Sequence, residues 1–299
     1  MIFIITQDYI LLINFIVKDV MKKIIVTIDA INYNEQALKY AIQIAKQSGG
    51  MILGVFLHDI SYVYADLPGI FDLVPVEYST IIKRQQEDHD KLNANMHLFN
   101  EACKKENVRH KIHAHDGVNV TDFLIKESMF ADMLIVDEQI SFAIQRADSI
   151  STFLTDILED AHCPVLVVPE KYSPIEQVFL CYDGSPSGTK AIKMYSYIFS
   201  EWSAKNTTLI SFNAEASAHI SNSENIKDLL HQHFSNLTID VEHEKRQEDS
   251  MLSYFKLREE NALIVMGAYG RSPFSRLFRK SAANNILKNL KAPIFITHE

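Results

Sequence analysis

The sequence predicts an α/β protein built from two consecutive units, each a five-stranded parallel sheet flanked by helices. Three observations predict this. Short apolar runs of strand length alternate with longer stretches of helical periodicity. The order of elements in the first half starts again after Lys171-Tyr172-Ser173-Pro174. Strands that alternate with helices in this way pair in parallel and are covered on both faces.

The elements follow in order. Ile24–Ile28 reads as a buried strand ending at Asp29, and a helix begins near Asn34 with Ala37, Leu38, Ala41, Ile42 and Ala45 on one face. Ser48-Gly49-Gly50 stops it. Ile52–Leu57 is a second strand, and Leu67-Pro68-Gly69 leads to a long helix over about 77–106, whose stripe is Leu92, Met96, Phe99 and Cys103. Lys111–His115 alternates as a strand, Val120, Phe123, Leu124 and Ser128 mark a helix, and Met133–Val136 is the fourth strand. A helix over about 151–159 precedes the fifth strand, Pro164–Pro169. In the second half the strands are Val178–Tyr182, Thr207–Phe212, Leu237–His243, Ala262–Met266 and Pro293–Thr297. The helices between carry Ala191, Met194, Tyr195 and Ile198, then a span over about 224–234, then Leu252, Phe255 and Leu257. The halves align at Ile25–Asp29 with Phe179–Asp183 and at Cys163–Val167 with Ala292–Ile296.

A chain of 299 residues is long enough for two domains, each with its own core. Their expected extents are 21–171 and 175–299, with 1–20 a separate extension. That extension is apolar at Ile2–Ile5 and Ile10–Ile13 but interrupted by Gln7, Asp8 and Asn14, and shorter than a bilayer span. It lacks the basic start and cleavage site of a secretory signal, and Met21 reads as a natural beginning. A formal charge of -9 argues against general nucleic-acid binding, which needs a basic surface. Cys103, Cys163 and Cys181 are odd in number and irregularly spaced, which fits free thiols in a reducing cytoplasm.

The pointed functional signal lies near the end, at Ala262-Leu263-Ile264-Val265-Met266-Gly267-Ala268-Tyr269-Gly270. An apolar strand runs into two glycines three apart, where no Cβ blocks close approach of a ligand. Arg271, Arg276, Arg279 and Lys280 follow without an acidic residue, and Ser281 is a good N-cap for a helix with Ala282, Ile286, Leu287 and Leu290 on one face. Strand, glycine loop and helix N-terminus together are a common way to hold a phosphate.

Gly-x2-Gly-x9-Gly-Ser/Thr directly after a strand is the nucleotide-loop signature of the universal stress protein family, which this stretch resembles. Gly267, Gly270 and Ser281 match, Arg271-Ser272 follows as in many members, and Lys280 stands where the third glycine would be. Asp183-Gly184-Ser185 resembles the family's strand-one ending, and Ser48-Gly49-Gly50-Met51-Ile52 the approach to strand two. The likeness covers nearly everything after residue 21. It implies two Rossmann-like units joined through their fifth strands as an intramolecular pseudo-dimer, which leaves open a further homodimer. It also implies an adenine nucleotide such as ATP near Asp183, with Gly267 and Gly270 under ribose and phosphate and Ser281 at the phosphate. Lys280 either blocks that site or grips phosphate as a point charge.

The first copy carries Asp137-Glu138-Gln139 through Asp148 in place of the glycine loop, and two carboxylates there repel phosphate. That half is expected to bind no nucleotide, with Asp29 capping its own turn. His113 and His115 share a strand face without a third ligand, so no metal is expected. Cys163 reads as a small core residue. No catalytic base or metal cage stands out, so the chain is expected to be a cytoplasmic binding or regulatory module in stress adaptation, not an enzyme. Two rivals remain at this level: a ligand-free scaffold of the same fold that works through an unknown protein partner, and a nucleotide hydrolase. The hydrolase would need a glycine-serine loop after strand one that Asp29-Ala30-Ile31 and Asp183-Gly184-Ser185-Pro186 do not supply.

Overall fold

The computed structural model describes residues 23–60, 78–142, 151–213, 220, 222–243, 247–267, 287 and 289–297. The first half contains β1 (Lys23–Asp29), α1 (Gln36–Ser48), β2 (Met51–Asp59), α2 (Tyr78–Lys105), β3 (His110–Gly117), α3 (Val120–Ser128), β4 (Met133–Asp137), α4 (Thr152–Asp160) and β5 (Val165–Val168). The second contains β6 (Gln177–Cys181), α5 (Pro186–Ile198), a short 3-10 turn (Ser200–Trp202), β7 (Asn206–Asn213), α6 (Ser223–His233), β8 (Leu237–His243), α7 (Gln247–Lys256), β9 (Ala262–Gly267) and β10 (Ile294–Thr297). The extension over 1–20 lies outside the described residues. So do Gly270, Lys280 and Ser281, and most of the first copy's loop after Phe142.

Local chemistry sets the helix ends. Ser151 Oγ accepts from Leu154 N–H at 3.1 Å and Ser185 Oγ from Gly188 N–H at 3.0 Å, each filling an otherwise unpaired donor of a first turn. Gly49 ends α1 in the left-handed region at φ 70, with its N–H on Ala45 O. One expected position gives way: Leu257 follows the end of α7 and is 84% exposed, while Met251, Tyr254 and Phe255 make the buried stripe.

Strand order is β3-β2-β1-β4-β5-β10-β9-β6-β7-β8, a single ten-stranded sheet. Each half is parallel throughout, as its helical crossovers require. The halves join where β5 runs antiparallel to β10, with Leu166 opposite Phe295. The two expected sheets therefore merge through their fifth strands.

That seam reorganises the core. Side chains alternate across a strand, so Val165, Ile264 and Ile294 fall on one face with Ile25 and Phe179, while Leu166, Val265 and Phe295 fall on the other with Ile24 and Leu180. Each face is one continuous apolar layer drawing on both halves. One core per half, as length suggested, gives way to one core per sheet face. Trp202 Nε1 donates to Gln47 Oε1 and adds a polar tie across the halves.

Candidate functional site

In each half the chain passes from one side of its first strand to the other, because β1 is flanked by β2 and β4 and β6 by β7 and β9. The crevice beyond the C-terminal ends of such strands is where open α/β sheets bind ligands. Asp183 and Gly267 meet at the second-half crevice, one just after β6 and the other closing β9.

Asp183 Oδ1 accepts from Ser185 N–H at 2.9 Å, which folds the turn into α5, and Gly184 supplies the positive φ of 79 that the turn needs. Asp183 Oδ2 is buried and has no hydrogen-bond partner among the described residues. A carboxylate oxygen in that state is expensive and calls for a donor. Gly267 serves the same corner sterically: a Cβ there would lie 2.4 Å from both the carbonyl carbon and oxygen of Ser187. A glycine at this position lets β9 and the first turn of α5 close on each other. Thr297, in register with Gly267, carries a buried hydroxyl that also has no partner among the described residues.

The strand registers identify the first-half counterparts. Ile25 pairs with Leu134 as Phe179 pairs with Ile264, and Leu134 pairs with Val165 as Ile264 pairs with Ile294. Asp137 therefore stands where Gly267 stands, and Asp29 where Asp183 stands. Asp29 is satisfied by Ile31 N–H and Asn32 N–H at 2.9 Å each and by Asn32 Nδ2 at 3.0 Å, the turn-capping role expected of it. Asp137 is buried, takes Asn34 Nδ2 at 2.7 Å and Gln139 N–H at 2.8 Å, and so puts a satisfied carboxylate where the second half has no side chain. Burial raises the Asp137 carboxyl above its usual range. Burial pushes neighbouring Glu138 up to about 7, reinforced by Asp137 and Glu170 and opposed by Glu170 N–H and Lys291.

The described histidines do not assemble a metal site. His113 faces Glu127 at 3.5 Å and His115 stacks on Phe123 at 4.2 Å, and among the described residues no group of three candidate ligands converges. The sequence missed a different cluster. His58, buried at the end of β2, lies 3.1 Å from Asp116 and 3.6 Å from buried Asp88 of α2. It borders a cleft of about 640 Å3 that opens from the first-half crevice at Asp29 and Asn32 and is rimmed by Lys83, Arg84 and Lys91. These residues come from three separate elements, so no spacing in the sequence marks them. All three cysteines are buried, and burial pushes the Cys163 thiol up to about 12, which makes it the inert core residue expected.

No family model and no curated protein matches the chain. Among solved structures, a universal stress protein from Archaeoglobus fulgidus DSM 4304 aligns over 94% of this chain and 97% of its own, at 12% identity and a TM-score of 0.65. A functionally unknown protein from Pseudomonas aeruginosa PAO1 aligns over 93% and 92%, at 14% identity and a TM-score of 0.55. The chain thus has the fold of a full-length universal stress protein with two units. Among the described residues no helix is long and apolar enough to cross a membrane.

Proposed function

We propose that this chain is a universal stress protein in which only the second half receives an adenine nucleotide, and that it acts as a binding or regulatory module and not as an enzyme. The observation that carries the reading is the contrast between the two crevices. Asp29 and Asp137 spend their oxygens on their own turns and on Asn34. Asp183 keeps one buried oxygen without a donor, beside a glycine where the other half has a carboxylate. An exocyclic amine or a sugar hydroxyl would supply that donor. Gly270, Lys280 and Ser281 would then take the phosphates, with backbone N–H groups and Lys280 as the positive charges.

The regulatory role rests on what the sequence lacks, a base and a metal cage at the phosphate loop. Titration calorimetry with ATP, ADP and AMP tests the reading. One equivalent bound per chain is expected. Absence of binding at millimolar nucleotide would favour the ligand-free scaffold.

A further inference from the structure

Among the described residues the chain presents the same helix face twice and covers it once. With Asp29 matched to Asp183, the buried positions of α1 and α5 agree: Ala37 with Ala191, Leu38 with Ile192, Ala41 with Tyr195, Ile44 with Ile198. On α1 the next residues outward, Gln36, Tyr40 and Gln43, are covered by the segment that follows β5. Tyr172 N–H donates to Gln36 Oε1 at 3.1 Å, Ser173 N–H donates to the Tyr40 hydroxyl at 3.1 Å, and the Tyr172 ring meets Tyr40 edge-on at 4.7 Å. Tyr40 is fully buried as a result.

The matching residues on α5 are Lys190, Met194 and Tyr197, and they line an open cleft of about 500 Å3 with Gly184, Thr189, Lys193 and Asn222. Tyr197 is 45% exposed. The electrostatics differ as well. On α1, Lys39 is held by Glu35 at 2.5 Å. On α5 its counterpart Lys193 faces Thr189 in the place of Glu35, and among the described residues neither Lys190 nor Lys193 has a carboxylate partner. The cleft walls are fixed: buried Tyr182 bonds the side chains of both Thr189 and Asn222, and Asn222 holds a left-handed φ of 52.

We propose that the α5 cleft is a docking groove for an extended segment of a partner protein that carries an aromatic side chain flanked by carboxylates. The intramolecular precedent is Tyr172 on α1, which seats its ring against this same helix face; Lys190 and Met194 replace the acceptors Gln36 and Tyr40, so on α5 the polar contacts are those of the lysines. The aromatic ring fits beside Met194 and Tyr197, and the carboxylates answer two unpaired ammonium groups in a chain otherwise strongly acidic. The groove meets the Asp183 turn at Gly184 but is lined mainly by α5 side chains, so peptide binding is measured without nucleotide and does not depend on it.

The test is fluorescence anisotropy with the intact chain and a labelled synthetic peptide, Tyr-Ser-Pro flanked on each side by two glutamates. Saturable binding in the micromolar to millimolar range is expected, weakening as salt rises. Lys190→Gln with Lys193→Gln is expected to weaken it about tenfold without moving the melting temperature, since both side chains are exposed. A peptide with serine for its tyrosine should lose most of the affinity. No binding at millimolar peptide, or affinity indifferent to the double substitution, would overturn the proposal. Phenyl phosphate binding at these lysines without peptide binding would overturn it in favour of small anions. Self-association abolished by the double substitution, with no peptide binding, would overturn it in favour of a second copy of the chain.

Discussion

Replacing Gly267 by alanine separates two explanations of that residue. An added methyl would sit 2.4 Å from the Ser187 carbonyl carbon and oxygen and 2.7 Å from Gly188 N. Comfortable carbon contacts are about 3.5–4.0 Å, so the first turn of α5 must retreat by about 1 Å. The obstacle is backbone, which cannot swing aside as a long side chain can. Overpacking of this kind costs about 1–3 kcal/mol. The retreat also loosens the Ser185–Gly188 cap and the Asp183–Ser185 turn built on the same residues. Urea unfolding should therefore show a midpoint lowered by the equivalent of about 2 kcal/mol with an unchanged slope, with or without nucleotide. Full stability together with lost ATP affinity would refute the packing argument and make Gly267 purely a ligand contact.

Other outcomes follow from the same coordinates. Tyr195 is fully buried among Phe199, Phe234 and Phe295 with its hydroxyl unpartnered, so Tyr195→Phe should raise stability by about 1 kcal/mol in a thermal melt, and a lowered melting point would contradict this. Glu138 keeps its proton in the folded state up to about 7 but releases it near 4.5 when unfolded, so the folded chain binds more protons between those values and stability falls as pH rises through that window. Urea midpoints at both ends of the window should show Glu138→Gln flattening the fall by on the order of 1 kcal/mol, allowing for solvent screening; an unchanged slope would place the titration elsewhere. At the phosphate loop, Gly270→Val should abolish ATP binding measured by calorimetry, and unchanged affinity would mean the pocket is misplaced. Lys280→Gly decides that lysine's role, with lost affinity expected of a phosphate ligand and gained affinity of a block.

Most of the architecture was legible because it rests on local pattern. Apolar runs such as Ile24–Ile28 and Ala262–Met266 have the length and branched residues of strands buried on two faces, and the repeated Asp29 and Asp183 marked the turn after the first strand of each half. Which strands meet at the seam is not in any periodicity, since β5 and β10 read the same whatever they pair with. Their pairing came from the resemblance, and Leu166 opposite Phe295 bears it out; the antiparallel direction is visible only in the structure. Long-range side-chain pairs were invisible. Asn34 and Asp137 meet from opposite ends of the first half, and the sequence offered only the weaker argument that two carboxylates repel phosphate. Tyr182 was read as part of a strand; its bonds to Thr189 and Asn222 depend on where α6 begins. Leu257 was misassigned because helical spacing continues one residue past the point where α7 ends.

Hydrogen exchange read by mass spectrometry, with and without saturating ATP, locates the ligand along the chain in one measurement. Slowed exchange should gather at 183–190 and at the end of β9, leaving 29–36 and 137–141 unaltered. Protection of the first-half segments, or of both halves equally, would contradict a chain that receives nucleotide only beside Gly267, where the first half carries Asp137.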